Sequence, residues 1–599
     1  MTRSSVATKR PKKRKKEPRT TASPLSRTAV VKSVKREPLG HLLLEKLLYA
    51  AGFSGTIATD TETLTEFSTD ESIFKIMPQI VLRPKTAKDI ETVVSVLGAE
   101  TKRFPSISLT PRAAGTGLSG GSLTDSVVID VCEYLADIGK PKISGDTATI
   151  ICEPGAMWRD VEAALAEHGF YIPAYPASKD FCTIGGSVAN NAAGPDSLRY
   201  GHVAEWVDSV DVVLSDGNTY TIQPLTYKAF TKLIKEDHEH ARIAREVFTL
   251  IEENETAIKR AHPKTAKNTA GYALWDVLDG LSVKEFKRGV GTFDLTRLIS
   301  GSQGTLGIVT SVTMRAIPLG TNTQLIAVPV FDLVKAGTVV QEALKFNPLN
   351  IEVFDDLTFD LALKNPQFFR KRLSGTAYYK SLFSMYATYH VRYRGKTPMF
   401  TLLVTLDDAT LSKSRLETIL AALKKHAPGA RHIVNESEVE MLWQLRRASY
   451  PLSKLEDPTK RPAPFLEDMV VPPQHLAPFF TNIKRLLKKY NVVAAVHGHG
   501  GNGHFHFYPL LDFTRRSTPA LIEKMADEFF ALALKYDGSI CGEHNDGIIR
   551  TPYLTQMFSK TILNLFVELE HIFDPDDIFN PGKKVNPRFD IKDSIRDTN

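Results

Sequence analysis

Residues 111–121 read Pro-Arg-Ala-Ala-Gly-Thr-Gly-Leu-Ser-Gly-Gly and follow a predicted strand at 106–110. Four glycines within seven residues expose several backbone N–H groups, and the hydroxyls of Thr116 and Ser119 lie beside them. A concave arrangement of this kind binds phosphate groups. No helical pattern follows the loop, as it would in a dinucleotide-binding fold, and no Gly-Lys-Ser/Thr follows it, as in a P-loop.

Two further segments are equally rich in small residues. One runs from Pro176 to Gly194 and the other from Leu298 to Val309. Packing of a core does not favour such composition, whereas close approach of the backbone to a flat polar cofactor does. Between the segments, the patterns predict a helix from Thr86, a charged helical insertion over 225–290, and strands at 80–84, 127–131, 147–152 and 207–214.

In this order, the three segments resemble the FAD-binding domain of the vanillyl-alcohol oxidase / p-cresol methylhydroxylase superfamily over about residues 70–318. The resemblance implies that the FAD pyrophosphate is held by the first loop, through Arg112, Gly115, Thr116, Gly117, Leu118, Ser119, Gly120 and Gly121. It implies that the isoalloxazine is flanked by Pro176, Ser178, Thr183, Ile184, Gly185, Gly186, Ala189, Asn190 and Gly194. The pocket would be completed by Gly304, Thr305, Ile308 and Asn580. Because residues 111–121 contain no histidine for covalent attachment, we expect non-covalent FAD.

A second unusual stretch, residues 497–506, reads His-Gly-His-Gly-Gly-Asn-Gly-His-Phe-His. On a strand, His504 and His506 point to the same face. His499 stands at an odd offset from them, so the intervening glycines must bend or bulge the chain to bring it back. Some forty residues later, Glu543 offers a carboxylate. Two convergent imidazoles and one carboxylate form a common open metal site.

The second half of the chain resembles the C-terminal domain of FAD-linked D-2-hydroxy-acid dehydrogenases, which act on D-lactate, glycolate or D-2-hydroxyglutarate. The matching motifs are Gly498–His506, Gly542–His544 and Asn580–Lys583. The resemblance implies that a divalent metal, Zn by default with Mn or Fe as alternatives, is bound by His499, His506 and Glu543. It also implies that Arg446 binds the substrate carboxylate. Such an ion would lower the pKa of the substrate hydroxyl as a Lewis acid.

Two positions of the histidine motif depart from that family, whose Asp is Asn502 here and whose Asn is His504. The second position lies near substrate in relatives, so we expect both residues to contact the substrate and to alter its choice. His504 and His497 also remain open as metal contacts or as strand surface.

His544 and Arg446 each have two interpretations. His544 has the ordinary pKa range of a general base that takes the hydroxyl proton while hydride leaves C2 for the flavin N5. Alternatively, it only orients Glu543. Arg446 either grips the substrate carboxylate through its planar fork or forms an ion pair on the surface of a helix.

Charge is distributed unevenly along the 599 residues. Residues 1–40 carry thirteen Lys/Arg and two Glu, which leaves −4 of the total of +7 for the rest. We expect this tail to be disordered and to contact a polyanion or an acidic membrane surface, without specific nucleic-acid binding. Residues 365–398 form a second basic, aromatic segment, which docks an acceptor or an acidic surface or supplies a helix of the C-terminal domain.

The cysteines and the hydropathy of the sequence indicate where in the cell the protein is located. The four cysteines form no Cys-x-x-Cys pair, and neither a secretory signal nor an apolar run of about eighteen residues is visible. We therefore expect a cytoplasmic protein, attached if at all to the inner face of the membrane by its tail.

The sequence predicts an α+β protein. A two-subdomain FAD-binding domain at 41–318 is followed by a substrate domain with a central antiparallel sheet at 319–585, flanked by tails at 1–40 and 586–599. We expect the last part of the substrate domain to return to the flavin. The expected activity is oxidation of a D-2-hydroxy acid to the 2-oxo acid, with electrons passed to a separate iron–sulfur protein, quinone or cytochrome. The alternatives are a transferase like alkyl-dihydroxyacetone-phosphate synthase and a non-catalytic flavin-binding subunit.

Overall fold

The structure is a computed structural model that describes residues 41–101, 107–320, 323–371, 375–392, 395–407 and 411–596. The predictions for the basic tail at 1–40 lie outside the described residues and stay predictions. Within the described ranges, no helix is both long and apolar enough to cross a membrane.

The N-terminal half begins with a four-stranded sheet. Its strands are β1 (Thr56–Ala58), β2 (Ile80–Arg83), β3 (Leu109–Arg112) and β4 (Val127–Asp130). Their order is β1-β2-β4-β3, and β4 pairs in parallel with both β2 and β3. The accompanying helices are α1 (His41–Ala50), α2 (Thr61–Phe67) and α3 (Ala87–Glu100). The Thr86 side chain caps α3, as its position in the sequence predicts.

Strand β3 corrects the predicted strand at 106–110. It begins at Leu109 and ends at Arg112, so the strand runs directly into the glycine-rich loop. Pro111 is tolerated because, among the named strands, β3 pairs with β4 alone and lies at the edge of the sheet. The Leu109 N–H donates to the carbonyl of Ile578 at 2.7 Å, a partner so remote in sequence that local periodicity cannot reveal it.

A second, largely antiparallel sheet follows. Its strands are β5 (Lys142–Ser144), β6 (Thr147–Cys152), β7 (Phe170–Tyr171), β8 (Val207–Val213), β9 (Thr219–Ile222) and β10 (Ile308–Pro318). The order is β5-β6-β10-β8-β9, with β7 paired to β10. The accompanying helices are α4 (Trp158–Ala166), α5 (Ile184–Asn190) and α6 (Ser197–Tyr200). The predicted strands at 147–152 and 207–214 are confirmed as β6 and β8.

The insertion predicted at 225–290 is helical. It contains α7 (Tyr227–Leu233), α8 (Glu239–Ala261) and α9 (Val283–Lys287), and α10 (Thr296–Ile299) follows it. The long helix α8 is amphipathic and buries Ile243, Val247, Leu250 and Ile251. The chain between α8 and α9 then carries Lys267, which is fully buried, into the centre of the molecule.

The C-terminal half is built on a seven-stranded sheet. Its strands are β11 (Gln324–Val330), β12 (Asn350–Asp355), β13 (Phe400–Leu406), β14 (Arg431–Ile433), β15 (Arg461–Pro462), β16 (Ala494–His499) and β17 (His504–Leu511). The order is β14-β11-β13-β12-β16-β17-β15, and every pairing is antiparallel, which confirms the predicted central sheet.

Helices cover this sheet. They are α11 (Leu333–Leu344), α12 (Asp356–Lys364), α13 (Gly375–Ala387), α14 (Lys413–Lys424), α15 (Glu436–Ser453), α16 (Leu476–Tyr490) and α17 (Thr518–Lys535). Within the segment 365–398, α13 buries Met385 in the apolar cluster that α15 also joins. This packing favours the interpretation of the segment as a helix of the C-terminal domain.

The last segment returns to the N-terminal half. It contains α18 (Gly547–Arg550), α19 (Leu554–Met557), α20 (Lys560–Phe573) and α21 (Ile591–Ser594). Phe579 pairs with Leu109 of β3. The end of the chain therefore lies beside the strand from which the first glycine-rich loop departs.

Candidate functional site

The three glycine-rich segments line one cavity in the N-terminal half. Of the residues predicted to bind the cofactor, the lining includes Arg112, Gly115, Thr116, Gly117, Ser119, Gly121, Thr183, Gly185, Gly186, Ala189, Asn190 and Gly304. A Cβ added at Gly117 would meet nothing closer than Asn190 Nδ2 at 3.8 Å, so it would project into the cavity itself. Glycine at this position therefore keeps space open for a ligand.

Nine other predicted cofactor residues lie elsewhere. Leu118, Pro176 and Ser178 line an adjoining cleft. Six lie behind the lining rather than in it: Gly120, Ile184, Gly194, Thr305, Ile308 and Asn580. At Gly194, for example, a Cβ would come within 2.0 Å of the Tyr175 carbonyl oxygen, so packed backbone, not a ligand, requires the glycine. The cofactor contacts expected of these six stay predictions, since none of them lines the cavity or the cleft.

Two buried amides hold the glycine-rich segments together. Gln303 Nε2 donates to Ser119 Oγ at 3.3 Å and to Asn190 Oδ1 at 3.2 Å. Asn580 Nδ2 donates to the carbonyls of Gly121 at 2.8 Å and Gln303 at 2.7 Å. The first loop, the helix α5 and the third segment are therefore fixed to one another, which preorganises the cavity.

The histidine-rich stretch is a β-hairpin formed by β16 and β17. Its register places His499 opposite His504, and His497 opposite His506. Directly opposite residues of an antiparallel pair project to the same face. All four imidazoles therefore share one face, and the odd offset of His499 is explained by the turn. Gly503 closes that turn with φ +70°, where a Cβ would meet the Val471 carbonyl oxygen at 1.8 Å.

The predicted metal triad converges on one carboxylate oxygen. His499 Nε2 lies 3.1 Å and His506 Nε2 lies 3.5 Å from Glu543 Oε1. An ion bound tetrahedrally at about 2.0–2.2 Å separates its ligand atoms by about 3.3–3.6 Å, so this donor set fits a divalent ion. A ligand atom of His504 also lies within 4.8 Å of the other three.

Hydrogen bonds from behind orient the two histidines of the triad. Glu352 Oε1 lies 2.6 Å from His499 Nδ1, and the Glu467 carbonyl oxygen lies 2.6 Å from His506 Nδ1. Both imidazoles therefore present Nε2 toward Glu543, as histidine ligands of metals commonly do. Glu352 reaches this position because β12 pairs with β16 and sets it opposite His499.

Lys267 binds the other oxygen of the Glu543 carboxylate. Its ammonium group forms a fully buried ion pair with Glu543 Oε2, which leaves Oε1 toward the imidazoles. Two residues further on, the Thr269 N–H donates to the Cys541 carbonyl at 3.0 Å and ties the lysine's loop to the glutamate's segment. The helical insertion thus contributes a charge to the site.

The electrostatics of the cluster suit a metal site. Burial lowers the pKa of His497 and His506 well below the ordinary value and that of His504 to about 4, so all three imidazoles are neutral near pH 7. Burial would raise the pKa of Glu543, but the Lys267 ammonium and the hydrogen bond with His499 outweigh it and hold that pKa well below its usual value. Neutral imidazoles and an ionised carboxylate are the states in which these groups bind metal.

His544 is held by two acids. Its Nδ1 lies 3.2 Å from Glu467 Oε1, and its backbone N–H donates to Asp468 Oδ2 at 2.9 Å. Its ring stacks on that of His506, with centroids 5.2 Å apart and planes at 16°. Burial lowers the pKa of His544, but Asp468 and Glu467 outweigh it and raise the pKa above the ordinary value.

A cleft of about 500 Å³ joins the two halves of the site. Thr116, Gly117, Gly186 and Asn190 line both this cleft and the glycine-rich cavity. From the C-terminal half, the cleft is lined by Arg446, His506, Glu543 and His544, among others. A cofactor in the cavity and a small molecule at the histidine cluster would therefore meet here.

The structure corrects the prediction that Asn502 and His504 contact substrate, because neither lines the cleft. Asn502 lies in the hairpin turn, where its Oδ1 accepts a hydrogen bond from Ser197 Oγ at 3.4 Å. His504 is completely buried within the cluster. Asn502 lies in the turn, and His504 pairs with His499 next to that turn, at the closed end of the hairpin.

Arg446 lines the cleft but is not an exposed residue. Its Nε lies 2.9 Å and its Nη2 lies 2.8 Å from Glu352 Oε2, and its side chain is 8% exposed. The alternative of a surface ion pair is therefore wrong: the pair is buried. Glu352 thus joins Arg446 to His499 through one carboxylate.

Comparison with known proteins agrees with this architecture. The family model described as "FAD binding domain" matches residues 78–223. The family model described as "FAD linked oxidases, C-terminal domain" matches residues 320–584. The chain carries both domains of the FAD-linked oxidases. The glycine-rich cavity lies in and beside the first domain, and the histidine hairpin lies in the second.

Proteins similar to this chain include dehydrogenases of hydroxy acids. It is 26% identical over 547 residues to the D-2-hydroxyglutarate dehydrogenase of Pantoea ananatis, covering 90% of this chain and 51% of the relative. It is also 26% identical over 516 residues to the glycolate oxidase subunit GlcD of Bacillus subtilis, covering 85% and 89%. The chain thus spans about half the length of the first of these relatives.

The fold also matches a solved structure of a different activity. An alkyldihydroxyacetonephosphate synthase superimposes with a TM-score of 0.60 at 15% identity, covering 92% of this chain and 87% of that one. At this identity, the likeness concerns the fold alone.

Sequence reasoning missed several polar residues of this oxidase-type site: Lys267, Gln303, Glu352, Glu467 and Arg550. Glu352 carried a signal, because it is the one acid in the apolar run Ile351–Phe354 of a strand. A lone charge there indicates a buried partner. Arg550 carried none, since its ion pair with Glu467 joins residues 83 positions apart.

Proposed function

We propose that this protein oxidises a D-2-hydroxy acid to the 2-oxo acid, with FAD as the acceptor and with help from a divalent metal. The observation that carries this proposal is the shared cleft, which brings the glycine-rich cavity and the histidine–glutamate cluster into contact. The names of the relatives support the substrate class. Reduced FAD would pass its electrons to a separate acceptor.

Each cofactor has residues that suit it. FAD would lie along Gly115, Thr116 and Gly117 toward the cleft, and when bound it supplies the two-electron acceptor. The metal, with Zn as the default, would be held by His499 and Glu543 together with His506. When bound, it would act as a Lewis acid toward the substrate hydroxyl.

The substrate carboxylate would be bound by Arg446. The guanidinium lies in the cleft, and its two contacts with Glu352 Oε2 fix its orientation before substrate arrives. A preorganised arginine loses little conformational entropy on binding, and its charge-assisted hydrogen bonds to a carboxylate are strong. C2 of a bound 2-hydroxy acid would then lie between the arginine and the histidine–glutamate cluster.

His544 would accept the hydroxyl proton. Glu467 Oε1 holds its Nδ1 at 3.2 Å, which fixes the tautomer and leaves Nε2 for the substrate. Glu467 and Asp468 would stabilise the imidazolium that forms. Because His544 lines the cleft beside His506, it can reach a hydroxyl bound at the cluster. The earlier alternative, orientation of Glu543, is less well supported, because Asp468 and Lys267 already perform it.

Anaerobic mixing of the purified protein with candidate substrates tests this proposal. The protein is loaded with FAD and with Zn or Mn, then mixed with D-lactate, glycolate, D-2-hydroxyglutarate and longer D-2-hydroxy acids. We expect at least one to bleach the visible absorbance of the oxidised flavin, and L-lactate serves as the control of handedness. If FAD and metal are bound and no hydroxy acid bleaches the flavin, the proposal fails, and a redox-neutral transferase becomes the better interpretation.

A further inference from the structure

We propose that His504 is a fourth protein ligand of the divalent ion, beside His499, His506 and Glu543. This inference rests on the metal site of the proposed function. A ligand atom of each of the four side chains lies within 4.8 Å of the others, and all four side chains are buried. His504 Nδ1 faces Glu543 Oε2 at 3.8 Å.

The surroundings of His504 leave that nitrogen for a ligand. His504 is 0% exposed, and its Nδ1 has no hydrogen-bond partner in the described part of the chain. Its other nitrogen, Nε2, lies 3.0 Å from Asp468 Oδ1, although without the geometry of a regular hydrogen bond. An acid thus stands behind His504 as Glu352 stands behind His499. A buried imidazole without partners is costly unless something else satisfies it, and a bound cation would do so.

Packing keeps His504 in this position. A Cβ at Gly542 would come within 2.9 Å of the His504 ring, so the segment that carries Glu543 closes over the imidazole. Because His504 does not line the cleft, a role in binding substrate leaves its buried nitrogen unexplained.

His497 provides an internal comparison on the same hairpin face. It is buried too, and its Nδ1 also lacks a partner among the described residues. It differs in that it lines the cleft, stacks on Tyr508 with centroids 5.2 Å apart, and lies outside the group of four. A replacement of His497 therefore changes a neighbouring buried imidazole without removing a proposed ligand.

A metal site with four protein ligands differs from one with three in its coordination and in how strongly it retains the ion. A set of four fills a tetrahedral site in the substrate-free protein, whereas three ligands leave a position for water. The substrate hydroxyl of the proposed function would then bind as a fifth ligand. We therefore expect the substrate-free protein to retain its ion strongly. We also expect cobalt(II) in place of the natural ion to show the intense visible absorption of tetrahedral cobalt.

The test compares wild type with His504→Gln and His497→Gln, each purified with FAD bound. Chelator competition gives the affinity for Zn, and the visible spectrum after loading with cobalt(II) gives the coordination. We expect His504→Gln to bind Zn at least about tenfold more weakly and to lose the tetrahedral spectrum, whereas His497→Gln keeps both. His504→Asn is a second variant in case the glutamine side chain disturbs folding, which FAD content and circular dichroism report.

The results separate the inference from the proposed function. If His504→Gln or His504→Asn folds and binds Zn as wild type does, His504 is not a ligand. The proposal that His499, His506 and Glu543 bind the ion is unaffected by that result. A weak spectrum of five- or six-coordinate cobalt in substrate-free wild type overturns the role of His504 as a ligand as well. If wild type binds neither Zn nor cobalt, the metal-binding part of the proposed function is contradicted, and so is the role of His504 as a ligand.

Discussion

At the scale of single residues, Glu352 is the acid on which two site groups depend. Its Oε1 faces His499 Nδ1 at 2.6 Å, and its Oε2 faces Arg446 Nε at 2.9 Å. We expect Glu352→Gln to weaken Zn binding by about 10- to 100-fold and to raise KM for the hydroxy acid, because both partners lose a charged acceptor. Zn content after dialysis and steady-state kinetics measure the two effects.

The exposed Glu456 provides the matched control for that substitution. Glu456→Gln makes the same chemical change on the surface and should leave Zn affinity and KM unaltered. Unchanged Zn affinity in Glu352→Gln would mean that the acid behind His499 does not support a ligand.

Lys267 is the second residue whose role can be tested alone. Without its ammonium, Glu543 is a buried carboxylate that has lost its cation, so we expect Lys267→Met to lower the free energy of unfolding of the metal-free protein by about 3–5 kcal/mol. The loss should be smaller with Zn, because the ion compensates the same carboxylate. Urea unfolding with and without Zn measures both values.

Lys264→Met in the same loop is the control, since that lysine is largely exposed and pairs with Asp537. We expect it to change stability by less than about 1 kcal/mol. An equal loss of stability in Lys267→Met with and without Zn would show that the ion does not bind at Glu543.

The residues of the site were predictable to different degrees. His499, His506 and Glu543 stand in short motifs whose spacing reveals them, and the structure brings them together. Lys267 and Glu352 come from a loop and a strand that are remote in sequence. Only their contacts in the folded protein, with Glu543 and His499, show that they belong to the site. Asn502 and His504 were misassigned because the register of the hairpin, not sequence proximity, decides which residues reach the cleft.

At the scale of elements, the sequence predicts the bounds of a strand well where its hydrogen-bond partners lie close in sequence. Strand β6 matches its predicted bounds, whereas β3 begins later than predicted, at Leu109, whose N–H donates to the Ile578 carbonyl and whose carbonyl accepts from the Asn580 N–H. The hairpin β16–β17 was predicted only as a bend or bulge. Its alternation of His504 and His506 with phenylalanines is confirmed.

Helix α20 carries an acid that makes stability depend on pH. Burial raises the pKa of Glu570 to about 8, and Tyr272 Oη lies 2.5 Å from its Oε2. The folded protein therefore holds a proton that an unfolded carboxyl releases near its ordinary pKa of 4.5. The stability from this proton is complete below about pH 4.5 and is lost as the pH rises through 8.

Glu570→Gln isolates this contribution, because an amide stays neutral at every pH. We expect the urea midpoint of wild type to fall more steeply than that of the variant between about pH 5 and pH 8. Parallel pH profiles of the two proteins would contradict a protonated Glu570 in the fold.

At the scale of the whole molecule, the N-terminal half supplies the glycine-rich cavity and the C-terminal half supplies the histidine–glutamate cluster. The sequence motifs predicted both parts and the antiparallel sheet. They did not predict the contacts that join the halves, such as Lys267 with Glu543 and Asn580 with Gly121. These contacts join residues 276 and 459 positions apart, so no local pattern reports them.

The residues proposed above to bind FAD, metal and substrate lie between 112 and 544, so we expect a chain without the basic tail at 1–40 to keep its activity. Flavin reduction by a hydroxy acid should proceed at the rate of the full chain, and binding to acidic vesicles should weaken. Loss of flavin reduction in a folded, FAD-loaded truncation would show that the tail takes part in the chemistry.

The central claim is that the histidine–glutamate cluster and the flavin cavity act on one substrate in one cleft. Anaerobic flavin reduction in His499→Ala tests it most directly, with FAD and Zn content measured on the same sample. We predict that the variant keeps FAD, loses Zn, and leaves the flavin oxidised when mixed with a hydroxy acid that bleaches wild type. Bleaching at the wild-type rate in a variant that has lost its Zn would contradict the claim.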